Sequence, residues 1–234
     1  MNCVIRKVLY YCFFLNLNMG VALTKIIPKR EIKIEALNGK IVAIDASNIL
    51  YQFLSSIRQQ DGTLLKDNNG NITSHLVGLS SRIPNLISKG LKICFVLDGK
   101  SPELKFKEQE DRETRKQTAE IKLEKAKAEM DEELMRKYSM QTTRLTKEMI
   151  KESAELITNF GIPVIQAPSE AEAQAAFMTK EKDVYAAVSQ DYDSLLFGAV
   201  RVVRNLTISQ RKKIPGGATI SVKPEIIELE DVLS

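Results

Sequence analysis

Residues 166–175 read Gln-Ala-Pro-Ser-Glu-Ala-Glu-Ala-Gln-Ala, and they follow directly on an apolar run at 162–165. The stretch places Glu170 and Glu172 two residues apart at the start of a predicted helix, 169–180. Local chemistry alone favours a capping box, with Ser169 as the N-cap and Glu172 closing it three residues later. Acidic side chains also suit the positive end of a helix dipole. A further role for the two glutamates requires other carboxylates at the same place.

The segments on either side of this stretch alternate between strand and helix patterns. Short apolar runs rich in β-branched residues predict strands at 40–45, 92–98, 162–165, 184–188, 200–206 and 218–222. Apolar residues at helical spacing predict helices at 47–60, 74–89, 146–161 and 169–180, with a kink at Pro84 in the second. Residues 211–217 read as an exposed basic loop, and 225–233 as a strand or loop that enters another helix. This alternation predicts an α/β fold with a mostly parallel central sheet flanked by helices.

The amino-acid composition limits the kinds of active site that the chain can form. The chain has 234 residues, of which 44% are hydrophobic, enough for one sizeable core, and its net charge of +4 permits a nucleic-acid partner. Three scattered cysteines imply no disulfide framework and fit a reducing compartment, so we expect a cytoplasmic protein. A single histidine argues against a histidine triad or a histidine-rich zinc site, and the absence of a GxxxxGK[ST] motif argues against an NTPase. Carboxylates are the remaining source of chemistry.

Carboxylates follow the carboxyl ends of four predicted strands. These residues are Asp45, Asp98, the pair Glu170 and Glu172, and the pair Asp191 and Asp193. The carboxyl ends of parallel strands share one edge of a sheet, which is where ligands bind in such folds. Six carboxylates at one edge repel each other unless a cation is present, and Mg²⁺ or Mn²⁺ prefers oxygen ligands. We therefore expect two divalent ions and phosphodiester hydrolysis by a two-metal mechanism.

Residues 100–137 differ in character from the rest of the chain. They contain eleven basic and eleven acidic residues and few large apolar ones, so a helix here is polar nearly all round. Lys105 and Arg112 are seven residues apart and share a helix face, and Arg115 and Lys116 follow them. Such a face can bind a phosphate backbone or the scissile phosphate. The alternative is a solvated helical hairpin without a ligand.

Several motifs in combination resemble the structure-specific flap endonucleases, 5′ nucleases of the XPG type, and archaeal members most of all. They are Val-Ala-Ile-Asp-Ala at 42–46, Tyr-Gln-Phe-Leu at 51–54, Ile-Arg-Gln at 57–59, Thr-Ser-His-Leu at 73–76, Val-Leu-Asp-Gly at 96–99, Ala-Pro-Ser-Glu-Ala-Glu-Ala at 167–173, Ser-Gln-Asp-Tyr-Asp at 189–193 and Val-Arg-Asn-Leu-Thr at 203–207. The resemblance runs from Met19 to the last residue.

This resemblance implies a PIN-like nuclease domain that cuts DNA at 5′ flaps or branched structures during replication and repair, as endonuclease and 5′–3′ exonuclease. It also implies two Mg²⁺ ions, with Mn²⁺ as a substitute. One metal site would be held by the residues matching Asp45, Asp98, Glu170 and Glu172, and the other in part by those matching Asp191 and Asp193. The charged segment, about 100–140, would form a helical arch whose Lys105 and Arg112 contact the scissile phosphate.

The resemblance also implies DNA contacts away from the carboxylates. Tyr51 matches an aromatic residue on which a base stacks, and Arg58 and Arg82 match basic DNA contacts. The alternatives are that Tyr51 only packs and that the two arginines are solvated. The family's sliding-clamp motif is absent from the sequence, and no membrane association is expected. A nucleoid-associated location in an archaeon-like cell is implied.

The two ends of the sequence carry expectations of their own. Residues 1–18 contain a short apolar run that is too short to span a bilayer, and we expect Met19 to be the native start. Residues 19–234 would then hold the family's N-terminal and internal nuclease regions, without its helix-two-turn-helix region. Two alternatives remain open: a non-catalytic DNA-binding remnant of such an enzyme, or another 5′ nuclease or PIN-type ribonuclease.

Overall fold

A seven-stranded sheet forms the centre of the fold in a computed structural model that describes residues 26–59, 61–102, 105–207, 211–213 and 219–234. Its strands are β1 (Arg30–Glu31), β2 (Ile41–Asp45), β3 (Lys92–Leu97), β4 (Val164–Gln166), β5 (Ala186–Val188), β6 (Arg201–Arg204) and β9 (Glu225–Glu228). Their order is β1-β9-β6-β5-β2-β3-β4. The five strands from β6 to β4 pair in parallel, whereas β9 and β1 add an antiparallel edge. The predicted mostly parallel sheet is therefore confirmed.

Helices connect the strands and cover the sheet. They are α1 (Ala46–Ser56), α2 (Ser74–Ser88), α3 (Phe106–Ala128), α4 (Glu132–Gln141), α5 (Lys147–Asn159), α6 (Ala171–Lys180), α7 (Asp193–Leu196) and α8 (Leu229–Leu233). Among the described residues, no helix is long and apolar enough to cross a membrane.

The core lies on both faces of the sheet because successive residues of a strand point to opposite sides. Ile44 packs in one cluster with Phe53 of α1 and Leu79 of α2. Its neighbour Ala43 packs in a second cluster that contains Ala175 of α6. The small residues of α6 allow this helix to lie close to the sheet, which places its first turn at the carboxyl edge of the strands.

Strand order makes this edge a natural site. The chain first moves outward from β2 through β3 to β4, and then returns to the other side of β2 to form β5 and β6. The connections on the two sides of β2 therefore diverge, which opens a crevice at the carboxyl ends of the strands.

The charged segment forms a helical hairpin of α3 and α4, with Met130 in the left-handed region (φ 53°) at the turn. Only Ala119 and Ala126 of α3 are buried, and α4 buries none of its residues. The hairpin is thus as polar as its sequence predicts. This hairpin, residues 106–141, is the arch.

One local expectation needs correction. Residues 211–213, predicted as part of an exposed loop, form strand β7, which pairs with β8 (Thr219–Ser221). Pro84, where a kink is predicted, lies inside α2, and the helix continues through that position. The helix tolerates the proline on its exposed side, where water can satisfy the carbonyl of Ser80 that loses its donor. The extension 1–18 and the proposed start at Met19 lie outside the described residues.

Candidate active site

The six predicted carboxylates meet in one cleft at the carboxyl edge of the sheet. The cleft has a volume of about 940 Å³ and lies between the strand ends and the arch. The sequence-predicted residues that line it are Asp45, Asp98, Glu170, Glu172, Asp191, Asp193, Tyr51, Lys105, Arg112, Arg115 and Lys116. Strand ends thus deliver the acids, and α1 and the arch deliver the aromatic and basic side chains.

Asp45 sits where β2 becomes α1. It is the last residue of the strand and the N-cap of the helix, and its Oδ1 accepts the backbone N–H of Asn48 at 3.1 Å. The residue is only 6% exposed although its side chain is a carboxylate, a group that is usually found at the surface. Helix capping therefore fixes the direction of this buried acid, which points along the strand towards the cleft.

Asp98, at the end of β3, caps α6 from a distance. Its Oδ1 accepts the backbone N–H of Ala171 at 2.8 Å. The predicted capping box of Ser169 and Glu172 is therefore wrong: the N-cap residue is Glu170, without a side-chain cap bond, and the Ser169 hydroxyl donates instead to the carbonyl of Lys100. Asp98, which follows strand β3, caps α6 in place of Ser169. The side chains of Glu170 and Glu172 are therefore not needed as caps and can contact other partners.

Glu170 pairs with a base from the arch. Lys105 Nζ lies 2.7 Å from Glu170 Oε1, at the point where α3 begins. Burial alone would lower the pKa of Lys105, but its hydrogen bond with Glu170 and the nearby charges of Glu172 and Asp193 outweigh that effect and raise it. The base of the arch is thus held against the acidic edge by a charged contact.

Asp191 lies on the loop between β5 and α7, and Asp193 is the first residue of α7. Within this loop the Ser189 hydroxyl accepts the backbone N–H of Asp191 at 3.1 Å and donates to Glu172 Oε1 at 3.2 Å. From α1, Asn48 Nδ2 donates to Asp191 Oδ2 at 2.7 Å. One loop is therefore connected to two of the other acidic elements through short polar contacts.

The acids raise each other's pKa. Burial, together with the charges of Asp98 and Asp191, raises the pKa of Asp45 to about 7. Burial and the charges of Asp45, Asp193 and Asp191 raise the pKa of Glu172 to about 8. Burial and the charge of Asp191 also raise the pKa of Asp193. This is the electrostatic conflict that a divalent cation resolves.

The donor set fits a hard divalent cation in type and charge, since every acid offers oxygen ligands. Among the described residues, however, no three Asp, Glu, His or Cys side chains stand close enough to ligate one ion. Two of the carboxylates are engaged by side-chain nitrogen donors instead, Glu170 by the Lys105 ammonium and Asp191 by the Asn48 amide.

The arch residues that line the cleft have short-range partners of their own. Arg112 pairs with Glu108 one turn earlier on α3, at 2.5 Å. Lys116 Nζ lies 5.9 Å from the ring centroid of Tyr51, which is 42% exposed. Tyr51 is therefore not a core residue; its ring faces the cleft with an ammonium above it.

Arg58 and Arg82 are not among the residues that line this cleft. Arg58 is half-buried and donates to the carbonyls of Leu54 and Gly62 and to the hydroxyls of Ser139 and Thr143. It therefore connects the end of α1 to the end of α4, and the expectation that it is simply solvated is wrong. Arg82 lies on α2, half-exposed, in a part of the surface that the cleft does not reach.

Sequence reasoning missed the uncharged members of the site, Asn48 and Ser189. Neither belongs to a residue type that signals metal chemistry by itself. The available signal was position: Asn48 is the third residue after Asp45, in the first turn of a helix that begins at a carboxylate strand end. The single histidine lies elsewhere: His75 is fully buried and contacts Glu152 of α5 at 3.3 Å.

Two family models match the chain. The XPG N-terminal domain matches residues 19–119, and the XPG I-region matches residues 161–234. Between these segments lies most of the arch. The first match contains Asp45 and Asp98, and the second contains the four other acids.

Individual proteins and solved structures of the same family are also similar to this chain. Flap endonuclease 1 of Pyrococcus abyssi is 52% identical over 216 residues, which are 92% of this chain and 63% of that protein. The structure of flap endonuclease-1 from Methanococcus jannaschii matches 92% of this chain and 64% of its own, with 43% identity and a TM-score of 0.67. The catalytic core of Rad2 in complex with DNA substrate matches 91% of this chain and 55% of its own, with 30% identity and a TM-score of 0.63.

The chain thus spans a little under two thirds of the length of the relatives it matches. Within that span the matched segments carry all six carboxylates and the fold that gathers them. The chain belongs to the XPG family of nucleases, to which the flap endonucleases belong.

Proposed function

We propose that this chain provides the catalytic region of a divalent-metal-dependent, structure-specific DNA nuclease that cuts at 5′ flaps. The observation that carries the proposal is the cleft itself: six carboxylates from four strand ends face basic residues of a projecting helical hairpin. Acids of this kind bind metal, and bases at such a position bind the phosphate on which the metal acts.

The proposed metal ligands are the six carboxylates. Asp45, Asp98, Glu170 and Glu172 would hold one Mg²⁺, and Asp191 and Asp193 would contribute to a second, with Mn²⁺ as a substitute. When bound, such ions lower the pKa of a water molecule and stabilise charge on the phosphate oxygens. Binding also offsets the repulsion that raises the pKa of Asp45, Glu172 and Asp193.

Lys105 and Arg112 are proposed as the phosphate-binding residues. Both line the cleft from the first two turns of the arch. Lys105 is paired with Glu170, and Arg112 with Glu108. Glu170 would hold a metal ion when one is bound, and the Lys105 ammonium beside it would then donate to a phosphate oxygen of the substrate. Metal binding and positioning of the phosphate would thus take place at neighbouring side chains.

The remaining predicted DNA contacts divide into two groups. Tyr51, Arg115 and Lys116 line the cleft. The phosphates of a nucleotide whose base stacks on Tyr51 would therefore lie near the side chains of Arg115 and Lys116. Arg58 and Arg82 are proposed to contact duplex DNA outside the cleft. Arg58 uses four of its five N–H donors within the protein, so its contribution would be mainly to the shape of that surface.

DNA is proposed as the substrate because the relatives named flap endonuclease and the Rad2 core bound to DNA share this fold and these segments. A role in replication and repair follows from that class of substrate, as does a place near the nucleoid in the cytoplasm. A sliding-clamp partner belongs to the full-length relatives and is proposed for this chain only in that context.

The test compares four labelled substrates: a 5′-flap DNA, a gapped duplex, a single-stranded DNA and the flap with RNA in place of DNA. We expect Mg²⁺-dependent cleavage at the flap base, abolished by EDTA. Binding of the flap without cleavage would instead support a DNA-binding remnant, and preference for RNA would support a PIN-type ribonuclease. Binding that does not weaken as salt rises would argue against phosphate contacts of any kind.

A further inference from the structure

The loop 189–193 is held by side chains from two separate elements. It carries Asp191, follows β5 and ends at Asp193, the first residue of α7. On one side lies α1, and on the other lies strand β6, which pairs in parallel with β5. The contacts from both sides converge on a single residue of the loop, Gln190.

Asn48 supplies the contact from α1. Its Oδ1 accepts the backbone N–H of Gln190 at 3.2 Å, and its Nδ2 donates to Asp191 Oδ2 at 2.7 Å. Its own backbone N–H donates to Asp45 at 3.1 Å. One residue therefore sets the distance between the acid at the end of β2 and the acid pair that follows β5.

Arg204 supplies the contact from β6. Its Nε donates to the carbonyl of Gln190 at 3.0 Å, and its guanidinium lies 4.2 Å from the ring centroid of Tyr192 and also bonds the hydroxyl of that residue. The side chain is 15% exposed and lies 3.9 Å from Glu225, which Lys29 also pairs at 3.0 Å. Glu225 thus holds the Arg204 side chain in place in addition to the contacts that Arg204 makes with the loop.

We propose that Asn48 and Arg204 are positioning residues that aim the carboxylates of Asp191 and Asp193 into the cleft. Both polar backbone atoms of Gln190 are engaged, its N–H by Asn48 and its C=O by Arg204, so the two peptide groups that flank Gln190 are each held by one side chain. The proposal rests on the proposed function in that these carboxylates are taken to bind metal. Partners that orient metal ligands commonly change metal affinity 10- to 100-fold when they are removed.

The chain offers a matched control for each variant. Arg201 lies on the same strand as Arg204, but pairs with Glu228 at 3.1 Å and lies over Tyr185, away from the loop. Asn85 is an exposed asparagine on α2. Asn48→Ala and Arg204→Gln are therefore compared with Asn85→Ala and Arg201→Gln in the 234-residue chain.

The first measurement needs no metal. Hydrogen exchange of the backbone amides in 189–193 is followed in EDTA for wild type, both variants and both controls. We expect faster exchange of the Gln190 and Asp191 amides in Asn48→Ala and in Arg204→Gln. Each variant removes one of the two side-chain hydrogen bonds that hold the backbone of Gln190. Exchange equal to wild type in both variants would overturn the proposal.

The second measurement is calorimetric titration with Mn²⁺ alone. We expect affinity for the weaker of the bound ions to fall about 10- to 100-fold in the two variants and to stay unchanged in the controls. Loosened loops with unchanged Mn²⁺ affinity would overturn the positioning role. Wild type that binds no Mn²⁺ would overturn the proposed function. Wild type that binds Mn²⁺ no more tightly than both variants would overturn only the positioning role of Asn48 and Arg204.

Discussion

Glu170 and Glu172 are two residues apart but are held by different parts of the chain. Glu170 faces Lys105 of the arch, whereas Glu172 faces Ser189 of the loop after β5. Their backbone is fixed by Asp98, which caps the helix that follows. A single helix start therefore presents one acid to each side of the cleft, which is what a site for two cations requires.

Asp98 has two separable roles, and paired variants distinguish them. Asp98→Asn keeps an oxygen that accepts the N–H of Ala171, whereas Asp98→Ala does not, and both remove the charge. We expect Asp98→Ala to be less stable than Asp98→Asn by about 1 kcal/mol, the usual cost of a lost helix cap, in urea unfolding. Both variants should lose flap cleavage. Equal stability of the two variants, or full cleavage by Asp98→Asn, would contradict these roles.

Stability of the metal-free protein should depend on pH through Asp45. Its pKa is about 7 in the fold and 3.8 ordinarily, so the folded state retains a proton that the unfolded state has lost. Between about pH 4 and about pH 8, the free energy of unfolding should therefore fall as pH rises. Glu172, whose pKa is raised to about 8, acts in the same direction.

Asp45→Asn removes this contribution. In EDTA the variant should be more stable than wild type near pH 8 and show a flatter dependence on pH, because an amide never pays the cost of ionising in a buried position. Urea unfolding at several pH values measures this, with Asp183→Asn, an exposed carboxylate, as the control. Parallel curves for Asp45→Asn and wild type would show that Asp45 ionises without penalty.

At the scale of elements, the arch is attached by charge more than by burial. Arg144, in the connection between α4 and α5, pairs with Glu113 at 2.5 Å and also with Glu120, seven residues further along α3. Arg58 and Lys105 add polar contacts at the base. Because α3 buries only two alanines, these pairs are what fixes the direction in which the arch projects.

Arg144→Gln should therefore loosen the arch without unfolding the domain. Ion pairs at partly exposed side chains contribute less than about 1 kcal/mol each, so the global free energy of unfolding should change little. Hydrogen exchange along α3 should become faster, and high salt should produce the same effect in wild type. Lys151→Gln, which removes a pair within α5, is the matched control. An arch that exchanges as slowly in Arg144→Gln as in wild type would contradict this role.

At the scale of the whole molecule, the sequence predicts the sheet and the acids better than it predicts their support. Strand ends are visible as apolar runs that stop at Asp45 or Asp98, and parallel pairing then places them together. The cap that Asp98 provides to Ala171 joins residues 73 positions apart, so local pattern favoured Ser169 instead. Asn48 reaches Asp191 across 143 positions and Arg204 reaches Gln190 across 14, and no helix or strand spacing in the sequence reveals either contact.

The attachment of the arch is also beyond what local sequence patterns predict. Its helices follow from composition, but its attachment depends on Arg58 and Arg144, which reach residues 24 to 85 positions away. The family resemblance predicts Arg58 at a DNA surface, and in the fold its donors also join α1 to α4. Charged side chains can serve either purpose, and only tertiary geometry distinguishes the two.

Calorimetric titration of Mg²⁺ into the metal-free chain is the most direct test of the carboxylate cleft as a metal site. Wild type should give saturable heat and should release protons near pH 7, because Asp45 and Glu172 hold protons there that a cation displaces. Glu172→Gln should bind Mg²⁺ more weakly and release fewer protons. Absence of saturable binding by wild type at millimolar Mg²⁺, or equal binding by Glu172→Gln, would contradict a metal centre at this edge of the sheet.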